Sequence, residues 1–180
     1  GNNYSGDTTV SAGTLALAGS GSLPSTGQIM LTAANLDVSQ ESGPFTLTKN
    51  TLTANGGSVL IASNTAQASI KTFNMDDSTL QLPVADGSAA SLIVTNLIFG
   101  GSTNYVTVTV AGTPSQTQFP LVKYVGLTGF DVGLANILPA AAGYIGYITN
   151  NVANNSIDFV LTGSGASIVW NGGNSAVDNN

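Results

Sequence analysis

The chain has 180 residues, of which 7% are charged, against roughly a quarter in ordinary soluble domains, and its formal charge at pH 7 is −6. Its only basic residues are Lys49, Lys71 and Lys123, and arginine, histidine and cysteine are absent. With no basic stripe to neutralise phosphate, nucleic acid is excluded as a partner and anionic membrane surfaces are disfavoured; with no cysteine, disulfides and thiolate metal sites are excluded.

The first pattern is a pair of short alternating runs, Tyr4 to Val10 and Thr14 to Leu17, joined at Ser11-Ala12-Gly13. Two strands of this length cannot bury an apolar face alone, so the unit reads as one rung of a stacked array. Strand-like runs follow at 29–32, 36–38, 45–48, 58–62, 69–73 and 79–82, each bounded by Gly, Asn, Ser, Asp or Pro. Alternation directs Leu15 and Leu17, Leu36 and Val38, Phe45 and Leu47, and Leu80 and Leu82 to a narrow interior. The Thr, Ser, Gln and Asp between them face water. Ala12-Gly13-Thr14-Leu15, Ala54-Asn55-Gly56-Gly57 and Phe99-Gly100-Gly101-Ser102 supply corners from residues that tolerate positive φ.

After Ser91 the runs are longer and richer in β-branched residues, at 92–99, 105–110, 119–125, 144–149 and 157–162. Asparagine pairs at 150–151 and 154–155 mark a hairpin connection between the last two runs. The segment from Gly126 to Gly143 is read as a connection. No segment has a capped helical period. The apolar stretch from Leu134 to Ile148 is broken by Asn136, Pro139, Gly143 and Gly146 and is too short to span a bilayer as a helix. The start, Gly1-Asn2-Asn3-Tyr4, lacks the basic and apolar regions of a signal peptide, so an export signal is expected upstream and the chain is expected to be a piece of something longer.

Asn3-Tyr4-Ser5-Gly6-Asp7-Thr8-Thr9-Val10 followed by Ala12-Gly13-Thr14-Leu15-Ala16-Leu17 resembles the autotransporter-associated β-strand repeat of large bacterial surface and secreted proteins. Gly19-Ser20-Gly21-Ser22-Leu23-Pro24 and Leu36-Asp37-Val38 resemble its continuation. Phe119-Pro120-Leu121-Val122-Lys123-Tyr124, Gly143-Tyr144-Ile145-Gly146 and Asn155-Ser156-Ile157-Asp158-Phe159-Val160-Leu161-Thr162 resemble the closing strands of such units. Ile168-Val169-Trp170-Asn171-Gly172-Gly173-Asn174 resembles the segment that opens the next one. The resemblance implies a right-handed parallel β-helix serving as a stalk or passenger, and it carries no catalytic residues.

Chemistry finds little support in the residues themselves. Nucleophilic triads lack their base. A Ser-Lys dyad competes with the simpler reading that Lys49 and Lys71 are solvated residues on outer faces or edges. Glu41 is the only glutamate, so a glycosidase pair would have to use aspartates. The one acidic cluster, Asp76-Asp77, precedes Ser78-Thr79 and reads first as a turn, with a calcium site as the functional alternative. Among aromatic residues, Tyr144 and Tyr147 are the glycan-contact candidates, because an odd spacing places them on opposite faces and exposes one of them.

The expected architecture is therefore all-β: a right-handed parallel β-helix with wider, partly antiparallel strands in the C-terminal half, and a β-sandwich as the alternative. Solenoid rungs are expected over 1–90, closing strands of the same domain over 91–165, and the start of a further repeat or a tail over 166–180. The expected role is structural and non-enzymatic, without cofactor, at the bacterial cell surface or outside the cell. Expected partners are neighbouring repeats or other copies of the chain, with no nucleic acid and no membrane insertion. The alternatives are an adhesion or carbohydrate-binding module, with glycans as partners, and an accessory part of a polysaccharide-active enzyme.

Overall fold

The computed structural model describes residues 4–23, 27–62, 67–84, 89–139 and 143–164. The chain is a β-solenoid of about five turns, completed by antiparallel strands. Each turn contributes one strand to each of two sheets. The first sheet takes β1 (Thr8–Val10), β3 (Ile29–Thr32), β5 (Thr46–Asn55), β7 (Ala68–Asp76), β9 (Leu92–Gly100) and β11 (Gln118–Thr128), stacked parallel in that order. The second sheet takes β2 (Gly13–Gly19), β4 (Ala34–Glu41), β6 (Val59–Ile61), β8 (Thr79–Val84), β10 (Asn104–Val110) and β12 (Val132–Leu138), also parallel. Two final strands, β13 (Tyr144–Asn151) and β14 (Ser156–Ser164), add to the first sheet in the order β11, β14, β13, and both of these pairings are antiparallel.

Because parallel strands keep a fixed register, like positions stack on like. Ile29, Leu52, Phe73, Leu97 and Leu127 form one column of the first sheet, and Leu31, Ala54, Met75 and Phe99 form the next. Leu15, Leu36, Leu60, Leu80, Val106 and Leu134 answer them across the core from the second sheet. The central members of these columns are fully buried. This is the period-two division read from the sequence, repeated turn after turn. Removing a fully buried side chain from water contributes roughly 1.5–3 kcal/mol, so the columns are the main source of stability.

Turning from the first sheet to the second takes only a few residues, and those residues need the left-handed region. Ala33, Gly56, Asp77 and Gly101 stack at the same corner with φ of 50°, 59°, 51° and 69°. Beneath them, Ser58, Ser78 and Asn104 are buried at the corner, and the Ser58 and Asn104 side chains tie it to the backbone. Ser58 Oγ donates to the Asn55 carbonyl at 2.6 Å, and Asn104 Oδ1 accepts from the Ser78 amide at 3.2 Å.

The parallel pairing of alternate strands removes the β-sandwich alternative. The runs at 4–10 and 14–17 form one rung, as read from the sequence: β1 and β2 lie in different sheets and pair with β3 and β4 of the next turn. Two local readings differ from the structure. Residues 126–143, read as a connection, contain β12. The run at 45–48 extends to Asn55 as β5, with an irregularity in its pairing with β7 between Leu47 and Thr51. Strand β9 continues the parallel stack across Ser91 in register with β7, and antiparallel pairing begins only at β14. Trp170 and the segment 166–180 lie outside the described residues.

Candidate functional site

Several polar side chains of the coil bond to the adjacent turn. On the outer faces, the Asn35, Asn74 and Asn96 amides donate to Thr14, Thr53 and Thr72 hydroxyls at 3.2, 3.3 and 3.4 Å. Asp7 Oδ1 accepts the Gln28 amide one turn later at 2.7 Å.

The calcium candidates Asp76 and Asp77 sit at the end of β7 and on the stacked corner. Asp77 Oδ1 accepts the backbone amides of Ser102 and Thr103, at 2.6 and 2.8 Å, and so closes the corner of the following turn. Gly101 packs against both carboxylates so tightly that a Cβ there would overlap them. Among the described residues no three acidic, histidine or cysteine side chains gather at one point, and calcium takes six to eight oxygens, so these two carboxylates have a demonstrated role only in the turn. Lys49 and Lys71 are exposed, as a solvated outer position requires.

The candidate site is at the other end, where β11, β14 and β13 form the antiparallel part of the first sheet. Phe119 and Phe159 stack on the core side of β11 and β14, with ring centres 6.3 Å apart. Alternation then turns Ser156 and Asp158 to the outer face. Residues on the outer face of a sheet are usually wet, yet these are 1% and 3% exposed. Neighbouring side chains account for the burial. The Gln118 and Asn151 amides, from β11 and β13, both donate to Asp158 Oδ2, at 2.6 and 2.8 Å. Lys123 reaches the Asn154 carbonyl at 2.8 Å in the turn before β14.

Together with Pro120 and Gln116, these residues line an open groove of about 360 Å³. Two buried atoms in it, Asp158 Oδ1 and Ser156 Oγ, have no hydrogen-bond partner. Unpartnered atoms also occur in the coil, at Glu41 in β4, Asn74 in β7 and Ser78 at the corner after it. Among the described residues, only Ser156 and Asp158 carry two of them two residues apart on one strand. A second open depression of about 300 Å³, with Asp37, Gln40 and Gln81 in its lining, contains no such atom.

The two tyrosine candidates separate as their odd spacing requires. Tyr144 packs against the core and donates its hydroxyl to the Gly112 carbonyl at 3.0 Å. Tyr147 is 51% exposed and pairs with Val160, on the face that carries Asp158. The expected hairpin is present: Val152–Asn154 forms a single 3₁₀ turn, and Asn155 adopts the left-handed conformation with φ 48°. Sequence reasoning did not single out Gln118, Asn151, Ser156 or Asp158. The alternation of Ile157, Asp158 and Phe159 turns Asp158 outward, but its burial depends on Gln118, 40 residues earlier.

Comparisons with protein-family models, curated proteins and solved structures return no match.

Proposed function

We propose that this chain is a structural segment of an extracellular bacterial surface protein or fibre, extended by stacking on neighbouring repeats or on other copies of itself. The observation that supports this reading most is the direction of the polar bonds. The Asn-to-Thr bonds on the outer faces and the Asp77 clamp at the corner each join one turn to the next. Such bonds build length, since a turn of a solenoid contacts only its neighbours. The charge-poor composition and the likeness of the opening residues to the autotransporter-associated repeat supply the surface setting.

Among the described residues, β1 and β2 each pair on one side only, leaving the other edge open to a further strand. Analytical ultracentrifugation and negative-stain microscopy of the purified chain test this. The expected result is concentration-dependent linear association that is lost when Thr14 and Ala16, both exposed on β2, are replaced by lysine. A chain that stays monomeric at all concentrations contradicts assembly through this edge.

A further inference from the structure

The pairing of the last three strands places their outward residues in rows. Tyr147, Val160 and Gln118 form one row; Thr149, Asp158 and Pro120 the next; Asn151, Ser156 and Lys123 the third. Successive rows are two residues apart along the strands, about 7 Å. The face therefore has an exposed aromatic ring in its first row, a buried carboxylate in the centre and an ammonium group in its third row. Gln118 and Asn151 hold Asp158 from both sides by the same oxygen, Oδ2, which fixes the carboxylate and leaves Oδ1 buried and unpartnered behind the groove lining. A buried acceptor in this state is costly unless something donates to it.

We propose that this face binds a neutral saccharide: the Tyr147 ring packs against the C–H face of a sugar, and hydroxyls entering the groove reach Asp158 Oδ1 and Ser156 Oγ, buried in the free chain, as the side chains covering them give way. The charges of the groove select for neutrality. An anion is opposed by Asp158, and a bare cation is opposed by Lys123 and offered a single carboxylate, fewer oxygens than calcium takes. A polyhydroxylated ligand satisfies all the groups at once, because each hydroxyl both donates to a carboxylate oxygen and accepts from an amide, serine or lysine. Its apolar face suits an exposed tyrosine with one wet side. Ligand sites commonly combine a preformed concavity with a few fixed polar groups, as here. The inference does not rest on the scaffold role, since the groove lies on a sheet face at β11, β14 and β13 and assembly is proposed through the open edges of β1 and β2.

The test is a titration of the ¹⁵N-labelled chain, in EDTA, with maltotetraose, cellotetraose, mannotetraose and N-acetylchitotetraose, followed by amide shift mapping. The expected result is saturable shifts with at least one of the four, centred on Asn151, Ser156, Asp158 and the Gln118 side-chain amide. D158N keeps an oxygen for the Gln118 and Asn151 amides but turns the free acceptor into a donor, and should weaken binding about tenfold or more. Y147A, at an exposed position that does not threaten folding, should weaken it about fivefold. No saturable shift with any of the four, shifts centred elsewhere, or unchanged binding by Y147A overturns the proposal. Shifts of these residues with calcium chloride alone, and none with the sugars in EDTA, overturn it in favour of a cation site.

Discussion

The parallel coil and the antiparallel end both bond outward polar groups to the adjacent strand, with different results. In the coil, fixed register stacks asparagine over threonine and corner over corner, so that outward polar groups bond to the next turn. At the end, antiparallel pairing interrupts that column, and Asp158 takes donors from both neighbouring strands, β11 and β13, on a single oxygen. One of its oxygens is then left over. The lesson is that fixed parallel register lets outward polar groups tie one turn to the next, whereas the change to antiparallel pairing gathers two donors on one carboxylate oxygen and leaves the other unpartnered.

Phe73 lies at the centre of its column with no exposed surface, so F73A should lower the unfolding free energy by about 3–5 kcal/mol in chemical denaturation. A loss below about 1 kcal/mol would break the claim that the stacked columns carry the coil. Next come the corners. Gly101 and Gly112 share a positive φ, 69° and 72°, but only Gly101 is hemmed in, by the carboxylates of Asp76 and Asp77. G101A should cost about 2–3 kcal/mol, combining backbone strain with displacement of the clamp, against about 1 kcal/mol for G112A. Equal losses would show that corner stacking adds nothing beyond glycine's conformational freedom.

D77A leaves the Ser102 and Thr103 amides without their acceptor and should cost about 1 kcal/mol, as loss of a helix cap does. The smallest effect is expected at the ladder itself. Removing the exposed Asn96-to-Thr72 bond with N96A should cost no more than about 0.5 kcal/mol. A larger loss would raise the outer ladders from fine adjustment to a principal support of the coil.

Period-two alternation made the interior legible, because Leu36, Leu47, Leu80 and Leu82 are pinned between two sheets and tolerate nothing polar. The glycine corners at 56 and 101 were legible for a similar reason, the left-handed backbone. Strand β12 was not. It pairs on one side only, its residues are exposed or half-buried throughout, and nothing forces a clean alternation on its sequence. The groove was hidden for a different reason. Tyr147 could be marked as a surface candidate from its spacing to Tyr144, whereas the burial of Asp158 depends on β11 lying beside β14, a pairing that reaches across the intervening β12 and β13 and has no local signature.

The in-register parallel stack is the claim on which the rest depends, and a ruler made from its own geometry tests it. Thr14 and Tyr105 stand in one column four strand spacings apart, through Asn35, Val59 and Thr79. Thr9 and Thr128 stand five spacings apart, through Met30, Thr53, Asn74 and Ile98. All four end residues are exposed, and the chain has no native cysteine to confuse labelling. Spin labels at T14C/Y105C and at T9C/T128C, measured by double electron–electron resonance, should give narrow distributions near 19 and 24 Å between backbone positions, since each spacing is about 4.8 Å. Broad distributions, or a first distance equal to or longer than the second, would contradict the stacked coil.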